Sequence, residues 1–563
     1  MTSRLKTAAT GTTDGPAKPI VSLASHGKRR WAARGSYLAG AAALLWPCWV
    51  RSSSRLGDLY DYSIHIAAAR HILHGLHPYR DIQTPIQSLT FLFSSGCEWL
   101  LGPTYAALAW GNLTLALALS AALLLILDGV LPPVGAFLIA LCLPVATVLQ
   151  HGVPYHNSLA FAILTVQSLL AAKAAHEGRL GSARLAALLV LAILGGMAKL
   201  NFHLVGTGAA ALGIFFSRRH RHRTHGTTLR SLRLAGGYVM FSLVAGPLLE
   251  MAWTGIYPQT WWFNVIARSG ERITWLANVQ TSKFWFSVVN NNYPNVFVGG
   301  IAFAAAMLFA LGGIICFAAA PGGRRPGAIV RRAAPIVVSA YFLFGGCLFV
   351  LVNSETIILN AAYFVVGLLC VGLIYGDRIG AWAKYYFHGA ALFLALALLL
   401  AAVVALGHYS RINYGREDIA TRWIPAGEID PSVKQFFGRL RFSPRTAALL
   451  SELFAVVDRY ELRANKKLVY WGPGLELMNQ LNGESQVPGL PLWYDRGVSV
   501  CDSDSPRIIE RLRSSPYQWI IMSKMWSIHI PPPVLTYIQA AYEVERSDEY
   551  LIVCHRRPES ALP

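Results

Sequence analysis

The chain has 563 residues, of which 54% are hydrophobic and 14% charged, and its formal net charge at pH 7 is +20. A soluble domain has about 25% charged residues, so this composition excludes an ordinary soluble enzyme. Apolar runs of about 18 to 25 residues recur along it and indicate a polytopic membrane protein. The basic excess lies mostly in short loops between these runs, where it sets topology and contacts anionic membrane lipids, so we expect no nucleic-acid partner.

Apolar runs predict the membrane spans. They lie near residues 34–50, 86–101, 104–127, 133–150, 156–174, 182–199, 200–217, 234–252, 296–319, 335–352, 357–375 and 387–407. Basic clusters at 173–184, 218–223 and 324–332 should face the cytoplasm with the N-terminal tail. They do so only if 86–101 does not cross. That run is polar in places, and its length of about 24 Å is short for a ~30 Å hydrocarbon core. We therefore expect eleven spans, with 86–101 lying on the outer membrane surface.

This topology predicts three parts in a multi-pass protein of the cell inner membrane. They are a cytoplasmic tail (1–33), a transmembrane domain (34–407) with outer loops 51–103 and 253–295, and a periplasmic domain (408–563). The last part reads as α/β, because strand patterns recur around an amphipathic helix. Its strands are expected at 466–474, 517–523 and 549–556, and its helix at 506–515. The predicted fold class is mainly α: a polytopic helical bundle with a C-terminal extracytoplasmic α/β domain.

The first outer loop contains GDLYDYSIHIAAARHILHGLHPYRDIQTP at residues 57–85. Asp58 and Asp61 stand at the start of an amphipathic helix, where helix capping is an alternative role for either of them. Capping does not account for Asp81, which follows Tyr79 and Arg80 in a segment that returns to the membrane. Burial at the rim of an apolar pocket raises the pKa of a carboxyl group toward a value useful for proton abstraction. All three aspartates are therefore candidate catalytic bases.

A metal site is an alternative use of the same loop. Three histidines repeat every three residues: His71, His74 and His77. Gly75 and Pro78 interrupt a continuous helix there, so this spacing does not favour a metal. A divalent cation held by Asp58 and Asp61 together is the other metal alternative, and the sequence requires no cofactor.

Cations on the outer side are few. Lys199 lies at the outer turn between two spans, where a lysine either snorkels to the interface or binds a lipid phosphate. Arg268 and Arg272 are four residues apart in a Trp-rich segment of the second outer loop, which suits a lipid headgroup or plain anchoring. His156 and Asn157 stand at the mouth of another span, and with Tyr79 and Arg80 we expect them to line one cavity.

One further acidic motif lies in the C-terminal domain. Asp502 and Asp504 form an Asp-x-Asp sequence, which in soluble nucleotide-sugar transferases holds a metal and a diphosphate. No glycine-rich nucleotide-binding half precedes it, so we interpret the motif as a solvated turn.

The first loop resembles that of GT-C superfamily glycosyltransferases. It looks most like the bacterial branch of dolichyl-phosphate-mannose–protein mannosyltransferase-like and lipid A aminoarabinose transferase-like proteins. That branch has an acidic residue soon after the first span, a helix leading to Pro-Tyr-Arg-Asp, and a lysine after a Gly-rich span. Here these correspond to Asp58, residues 67–81 and Lys199. Tyr-His-Asn at 155–157 resembles the polar opening of its fourth span.

The resemblance covers about residues 35–220, and it implies a sugar donor linked to polyprenyl phosphate. A carboxylate would deprotonate the acceptor hydroxyl while Lys199, Arg268 or Arg272 neutralises the departing phosphate. The family's adjacent Asp-Glu pair is replaced by Asp58-Leu59-Tyr60-Asp61, which leaves open which aspartate is the base. The acceptor, whether glycan, lipid or protein, is not indicated. A non-catalytic membrane subunit, and a transporter or flippase for lipid-linked glycans, are the alternative functions.

Overall fold

A computed structural model shows a membrane bundle of α-helices and a C-terminal α/β domain, as predicted. The described residues are 23–56, 59–217, 225–267, a few positions in 304–314, 336–345, 357–379, 381–408, 423–463, 468–471, 475–481, 490–492, 499–515, 517–524 and 530–558.

Helices fill the described part of the first half of the chain. In chain order they are α1 Leu23–Ser53, α2 Tyr60–Leu73, α3 Leu89–Leu101, α4 Tyr105–Leu127, α5 Pro133–Thr147, α6 His156–Glu177, α7 Ser182–Ala198, α8 Leu200–Ser217, α9 His225–Thr254 and α10 Pro258–Trp262, which continues as a π-helix over Phe263–Ala267. The later bundle helices are α11 Ile336–Gly345, α12 Ile357–Ile379 and α13 Ala381–His408.

Among the described helices, five are long and apolar enough to cross a membrane. They are Tyr105–Leu127, His156–Glu177, Leu200–Ser217, Thr228–Thr254 and Lys384–Val403. Shorter apolar helices coincide with the predicted spans at 133–150, 182–199 and 357–375. Much of the predicted spans at 296–319 and 335–352 lies outside the described residues, so the total of eleven stays a prediction.

Helix α3 corresponds to the run at 86–101, which the sequence predicts not to cross the membrane. It has 13 residues, about 20 Å at 1.5 Å per residue. Its polar face is buried, because Ser95 Oγ donates to the Ala69 carbonyl of α2 at 2.9 Å and Glu98 contacts Arg70. Trp99 and Leu100 are 75% and 70% exposed at its end. The polar side chains of α3 thus face the protein and its apolar side chains are exposed, which suits a helix with lipid on its outer side.

Small residues set the spacing of α7 and α9. A Cβ at Gly196 would lie 3.0 Å from the Cα of Gly246, so only glycine allows the two helices to approach this closely. This contact joins the last turn of α7 to the part of α9 that precedes Glu250. The end of α7 and the part of α9 just before Glu250 therefore lie side by side.

The C-terminal domain is built on two sheets. Strands β2 Ile424–Pro425 and β3 Arg441–Phe442 precede a sheet of β4 Leu468–Trp471, β5 Trp519–Ser523, β7 Leu551–Arg556 and β6 Tyr542–Ser547 in that spatial order. The pair β4–β5 is parallel and the remaining pairs are antiparallel. Helices α14 Pro431–Phe437, α15 Pro444–Arg459, α16 Met478–Leu481, α17 Ser505–Ser514 and α18 Pro532–Ala541 complete the domain. The predicted strands and the amphipathic helix are confirmed within a few residues.

This domain is joined to the first loop by backbone pairing. Strand β1, Arg55–Leu56, pairs in parallel with β3. The Leu492 N–H donates to the Gln83 carbonyl at 3.0 Å, and Ser63 Oγ donates to Glu476 Oε2 at 2.6 Å. The first loop and the C-terminal domain therefore lie at the same end of the bundle, which we call the first-loop end. That this end faces the periplasm stays a prediction.

Candidate functional site

Helix α2 carries Asp61, one of the predicted catalytic residues. Leu59 occupies its N-cap position, with no side-chain capping bond, and its carbonyl accepts the Ser63 N–H at 2.8 Å. Asp61 is the second residue of the helix, so it is not the N-cap residue that the capping alternative required. The side chain of Asp61, and Asp58 as a whole, lie outside the described residues.

Two side chains hold α2 against the bundle. The Tyr62 hydroxyl accepts the Gly152 N–H at 3.3 Å. His65 Nε2 and His156 Nδ1 are 3.1 Å apart, at hydrogen-bond distance. Because both contacts come from the first turns of α2, the backbone of Asp61 is fixed beside the start of α6.

Lys199 lies where α7 ends and α8 begins. Its backbone is extended, which separates the two helices, and its Nζ donates to Asn157 Oδ1 in the first turn of α6. The ammonium group also lies 5.5 Å from the centroid of the Phe202 ring. The structure thus brings together Lys199, His156 and Asn157, as the sequence predicts. A cation beside the N-terminus of a 22-residue helix makes this region electropositive and suited to an anion.

Glu250 organises a second cluster that the sequence analysis missed. It lies in the last turns of α9 and is 0% exposed. Its Oε1 accepts the Ser88 N–H at 2.7 Å, the Ser88 hydroxyl, and the Tyr79 hydroxyl at 3.1 Å. Its Oε2 accepts Trp261 Nε1–H at 2.8 Å. A carboxylate inside an apolar run is rare in membrane proteins and marks function, and this signal in LLEMAWTG could have identified it.

Tyr79 shows how tightly this cluster is held. Its φ of 67° places a bulky residue in the left-handed region, at a cost of about 1–3 kcal/mol that the surroundings must offset. Burial, and then the neighbouring Glu250, raise the pKa of the Tyr79 hydroxyl well above its usual value, so it stays protonated and donates. Tyr79 packs with Trp261 and Val265, and its predicted place in a cavity wall stays a prediction.

The two clusters adjoin through the segment between Tyr79 and α3. Gln87 Nε2 donates to the Gly196 carbonyl, three residues before Lys199, while the next residue, Ser88, is bound by Glu250. The returning part of the first loop is therefore pinned to both α7 and α9. The bond to Gly196 brings this segment close to the end of α7, where Lys199 follows.

Asp81 differs from the expectation. Arg80 donates to it through Nε and Nη2, and the His77 N–H donates to its Oδ2 at 2.8 Å. The hydrogen bonds from Arg80 lower the pKa of the Asp81 carboxyl. The prediction that burial raises this pKa is wrong in direction, because the charged partner outweighs desolvation. An ion-paired carboxylate with a depressed pKa is a weak base, so Asp81 is better suited to orienting Arg80, which is half-exposed.

Several predicted residues are not described. Arg268 and Arg272 lie beyond residue 267, where the description of the second outer loop stops. Within the described part of that loop, Trp261 is buried and Trp262 is exposed. No three His, Cys, Asp or Glu side chains of the described residues converge as metal ligands. The alternative of a cation held by Asp58 and Asp61 involves side chains outside the described residues, so it is not tested.

The Asp-x-Asp motif is only partly a solvated turn. Asp502 is exposed, but Asp504 is 6% exposed and its Oδ2 accepts the Cys501 N–H at 2.9 Å. The short 3₁₀ turn Asp502–Asp504 leads directly into α17. The interpretation is wrong for Asp504, which has a structural role at the start of this helix.

Comparisons with known proteins add a structural likeness. No protein-family model matches the chain, and no curated protein matches it. A crystal structure of ArnT from Cupriavidus metallidurans bound to undecaprenyl phosphate is similar over 94% of this chain and 98% of that one, with 11% identity and a TM-score of 0.41. The apo state of the same protein is similar over 94% and 99%, with 11% identity and a TM-score of 0.34. These values identify no equivalent residues, so the function must be argued from this chain's own site.

Proposed function

We propose that this chain is a membrane glycosyltransferase of the GT-C type. It moves a sugar from a polyprenyl-phosphate donor to an acceptor at the outer face of the inner membrane. The observation that carries the proposal is the placement of Lys199. Its ammonium group is held by Asn157 at the start of α6, and the preceding residue, His156, contacts His65 of α2.

The position of Lys199 suits the phosphate of a lipid donor. It lies at the end of two apolar helices, where the prenyl chain of a donor can stay in the membrane while its phosphate reaches the cation. A lysine in such a place is costly without an anionic partner. Asn157 accepts a hydrogen bond from this ammonium group and so fixes its position.

The reaction is a direct displacement. An acceptor hydroxyl loses its proton to Asp58 or Asp61 and attacks the anomeric carbon, and the bond from that carbon to the phosphate oxygen breaks. The leaving phosphate carries the electron pair, and Lys199 stabilises its developing charge. Arg268 and Arg272 are proposed as further phosphate ligands. The backbone of Asp61 lies on the anchored start of α2 and Lys199 lies at the end of α7, and such positioning of reacting groups is expected to speed the displacement.

The test separates donor binding from chemistry. Binding of undecaprenyl phosphate to the purified protein in detergent is measured for Lys199→Met and for Lys173→Met. Lys173 is the matched control because it lies at the opposite end of α6 and donates to the Leu125 and Asp128 carbonyls. Loss of a desolvated charge pair costs about 2–5 kcal/mol, so Lys199→Met should weaken binding by at least tenfold while the control keeps it.

Chemistry is measured as release of polyprenyl phosphate from a panel of polyprenyl-phosphate hexoses and pentoses with a membrane extract as acceptor. Removal of a general base lowers turnover by roughly 10²–10⁴-fold, so either Asp58→Asn or Asp61→Asn should do so with donor binding intact. Full turnover in both variants would exclude this first-loop base. If Lys199→Met bound the donor as tightly as the wild type, Lys199 would be an interfacial anchor and not a phosphate ligand.

A further inference from the structure

A cluster of arginines lies at the first-loop end, outside the site described above. Arg51 is in the last turn of α1. Arg55 follows in β1, and its register partner in the parallel pair with β3 is Arg441. Two like charges directly opposite on neighbouring strands destabilise the pair. The proposed topology puts this end outside, where the positive-inside bias makes three arginines unexpected.

Within the described residues, nothing neutralises the paired arginines. No carboxylate there forms an ion pair with Arg55 or Arg441, and Arg55 Nη1 is buried without a hydrogen-bond partner. The guanidinium of Arg55 lies 5.4 Å from the Trp423 ring, which fixes its direction. Burial, and then the charges of Arg51 and Arg441, lower the pKa of Arg55. Arg55 thus has a donor without a partner, and no carboxylate among the described residues offsets the charge of the opposed pair Arg55 and Arg441.

Aromatic rings show the level of this cluster in the membrane. Trp46, Trp49 and Trp110 pack together, with ring centroids 4.8 Å apart for Trp46–Trp49 and 4.7 Å apart for Trp49–Trp110. Trp46 and Trp110 are about half exposed on the side of the bundle. Tryptophan collects at the headgroup level of a bilayer. Arg51 follows Trp49 by two residues on α1, so the arginines stand where lipid phosphates lie.

We propose that Arg55 and Arg441 form a binding site for the phosphate of an anionic membrane lipid. The phosphate lies against the two opposed guanidiniums, accepts hydrogen bonds from them, and offsets their repulsion. Because Arg441 belongs to the C-terminal domain and Arg55 to the strand that follows α1, the bound lipid fastens that domain to the membrane surface. The site is independent of the proposed transferase reaction and uses none of its residues.

The test compares two lipids and free phosphate. Full-length protein in detergent is titrated with phosphatidylglycerol, with phosphatidylcholine of the same chains, and with inorganic phosphate, and binding is followed by native mass spectrometry and thermal unfolding. Each arginine near a membrane surface adds about 1 kcal/mol of attraction to anionic lipid. The double variant Arg55→Gln/Arg441→Gln should therefore bind phosphatidylglycerol roughly ten- to thirtyfold more weakly.

Two further readouts separate this site from a structural role. The control Arg445→Gln removes an exposed charge of the same domain and should keep the selectivity for phosphatidylglycerol. Without added lipid, the double variant should unfold at the wild-type temperature or above it, since a like-charge repulsion is gone. Equal binding of both lipids, retained selectivity in the double variant, or a lower unfolding temperature without lipid would overturn the proposal. Stabilisation by inorganic phosphate alone would overturn the lipid as its ligand.

Discussion

Replacing Glu250 tests whether one buried carboxylate holds the returning part of the first loop. Among the described residues, its Oε1 accepts hydrogen bonds from Ser88 and Tyr79, and its Oε2 accepts one from Trp261. The two oxygens therefore have separable roles. Glu250→Gln keeps an oxygen for Ser88 and Tyr79 but turns an amide N–H₂ toward the Trp261 N–H, whereas Glu250→Ala removes both acceptors.

The expected cost follows from the donors left without a partner. A buried polar group that loses its partner costs about 1–3 kcal/mol. Glu250→Gln leaves one such donor, Trp261 Nε1–H. Glu250→Ala leaves this donor, the Ser88 N–H and the Ser88 hydroxyl, whereas the Tyr79 hydroxyl can turn to the Ile86 carbonyl 3.3 Å away. We therefore expect about 1–3 kcal/mol for the glutamine variant and about 3–9 kcal/mol for the alanine variant.

Hydrogen–deuterium exchange of peptides covering residues 77–88 gives a local measurement, with thermal unfolding in detergent as the global one. Protection of that segment should fall at least tenfold in Glu250→Ala and less in Glu250→Gln, while α4 keeps its protection. Thr254→Val is the control on the same helix, because its hydroxyl bonds only to backbone carbonyls of α9. Unchanged protection of 77–88 in Glu250→Ala, or a loss equal to that in the control, would refute the reasoning.

Three more predictions concern the rest of this end of the molecule. Asp81→Asn should lower turnover less than tenfold, measured as polyprenyl phosphate release, because Arg80 already holds the Asp81 pKa low; a loss of 10²-fold or more would restore Asp81 as the base. Burial raises the pKa of Glu98 to about 7, above its unfolded value near 4.5. The contribution of Glu98 to stability should therefore be greatest below about pH 4.5, fall by about 3 kcal/mol as the pH rises to 7, and level off above it. An unfolding temperature that declines with pH equally in wild type and Glu98→Gln would contradict this. Cysteines introduced at exposed Arg445 and Ser182 should react with a membrane-impermeant maleimide from opposite sides, and labelling from the same side would end the proposed topology.

Much of the fold could be predicted because hydropathy and charge act locally. The apolar runs predicted most of the described helices, and the length and polar content of 86–101 set it apart as a short helix. That α3 lies on the membrane surface stays a prediction. The strands at 468–471, 519–523 and 551–556 followed from their apolar runs in the same way.

The site could be predicted only in part, because its contacts join distant segments. Lys199, His156 and Asn157 were grouped correctly, since each stands at the predicted end of a span. Glu250 was missed because a single carboxylate at the end of an apolar run does not show that Ser88 and Trp261 donate to it. The pKa of Asp81 was misjudged because the orientation of Arg80 next to it depends on the turn that His77 closes.

The hydrogen bond between Ser63 and Glu476 joins residues 413 positions apart, which has a consequence for biogenesis. At a synthesis rate of 5–20 residues per second, about 20–80 s separate the appearance of these two residues. During that interval the spans can insert one after another. Strand β3, which pairs with β1, and Glu476, which accepts the hydrogen bond from Ser63 of α2, have not yet been synthesised. A chain interrupted before residue 423 would thus contain most of the bundle with an unfastened first loop. Activity would accordingly begin only when translation has passed the C-terminal strands, whatever the speed of membrane insertion.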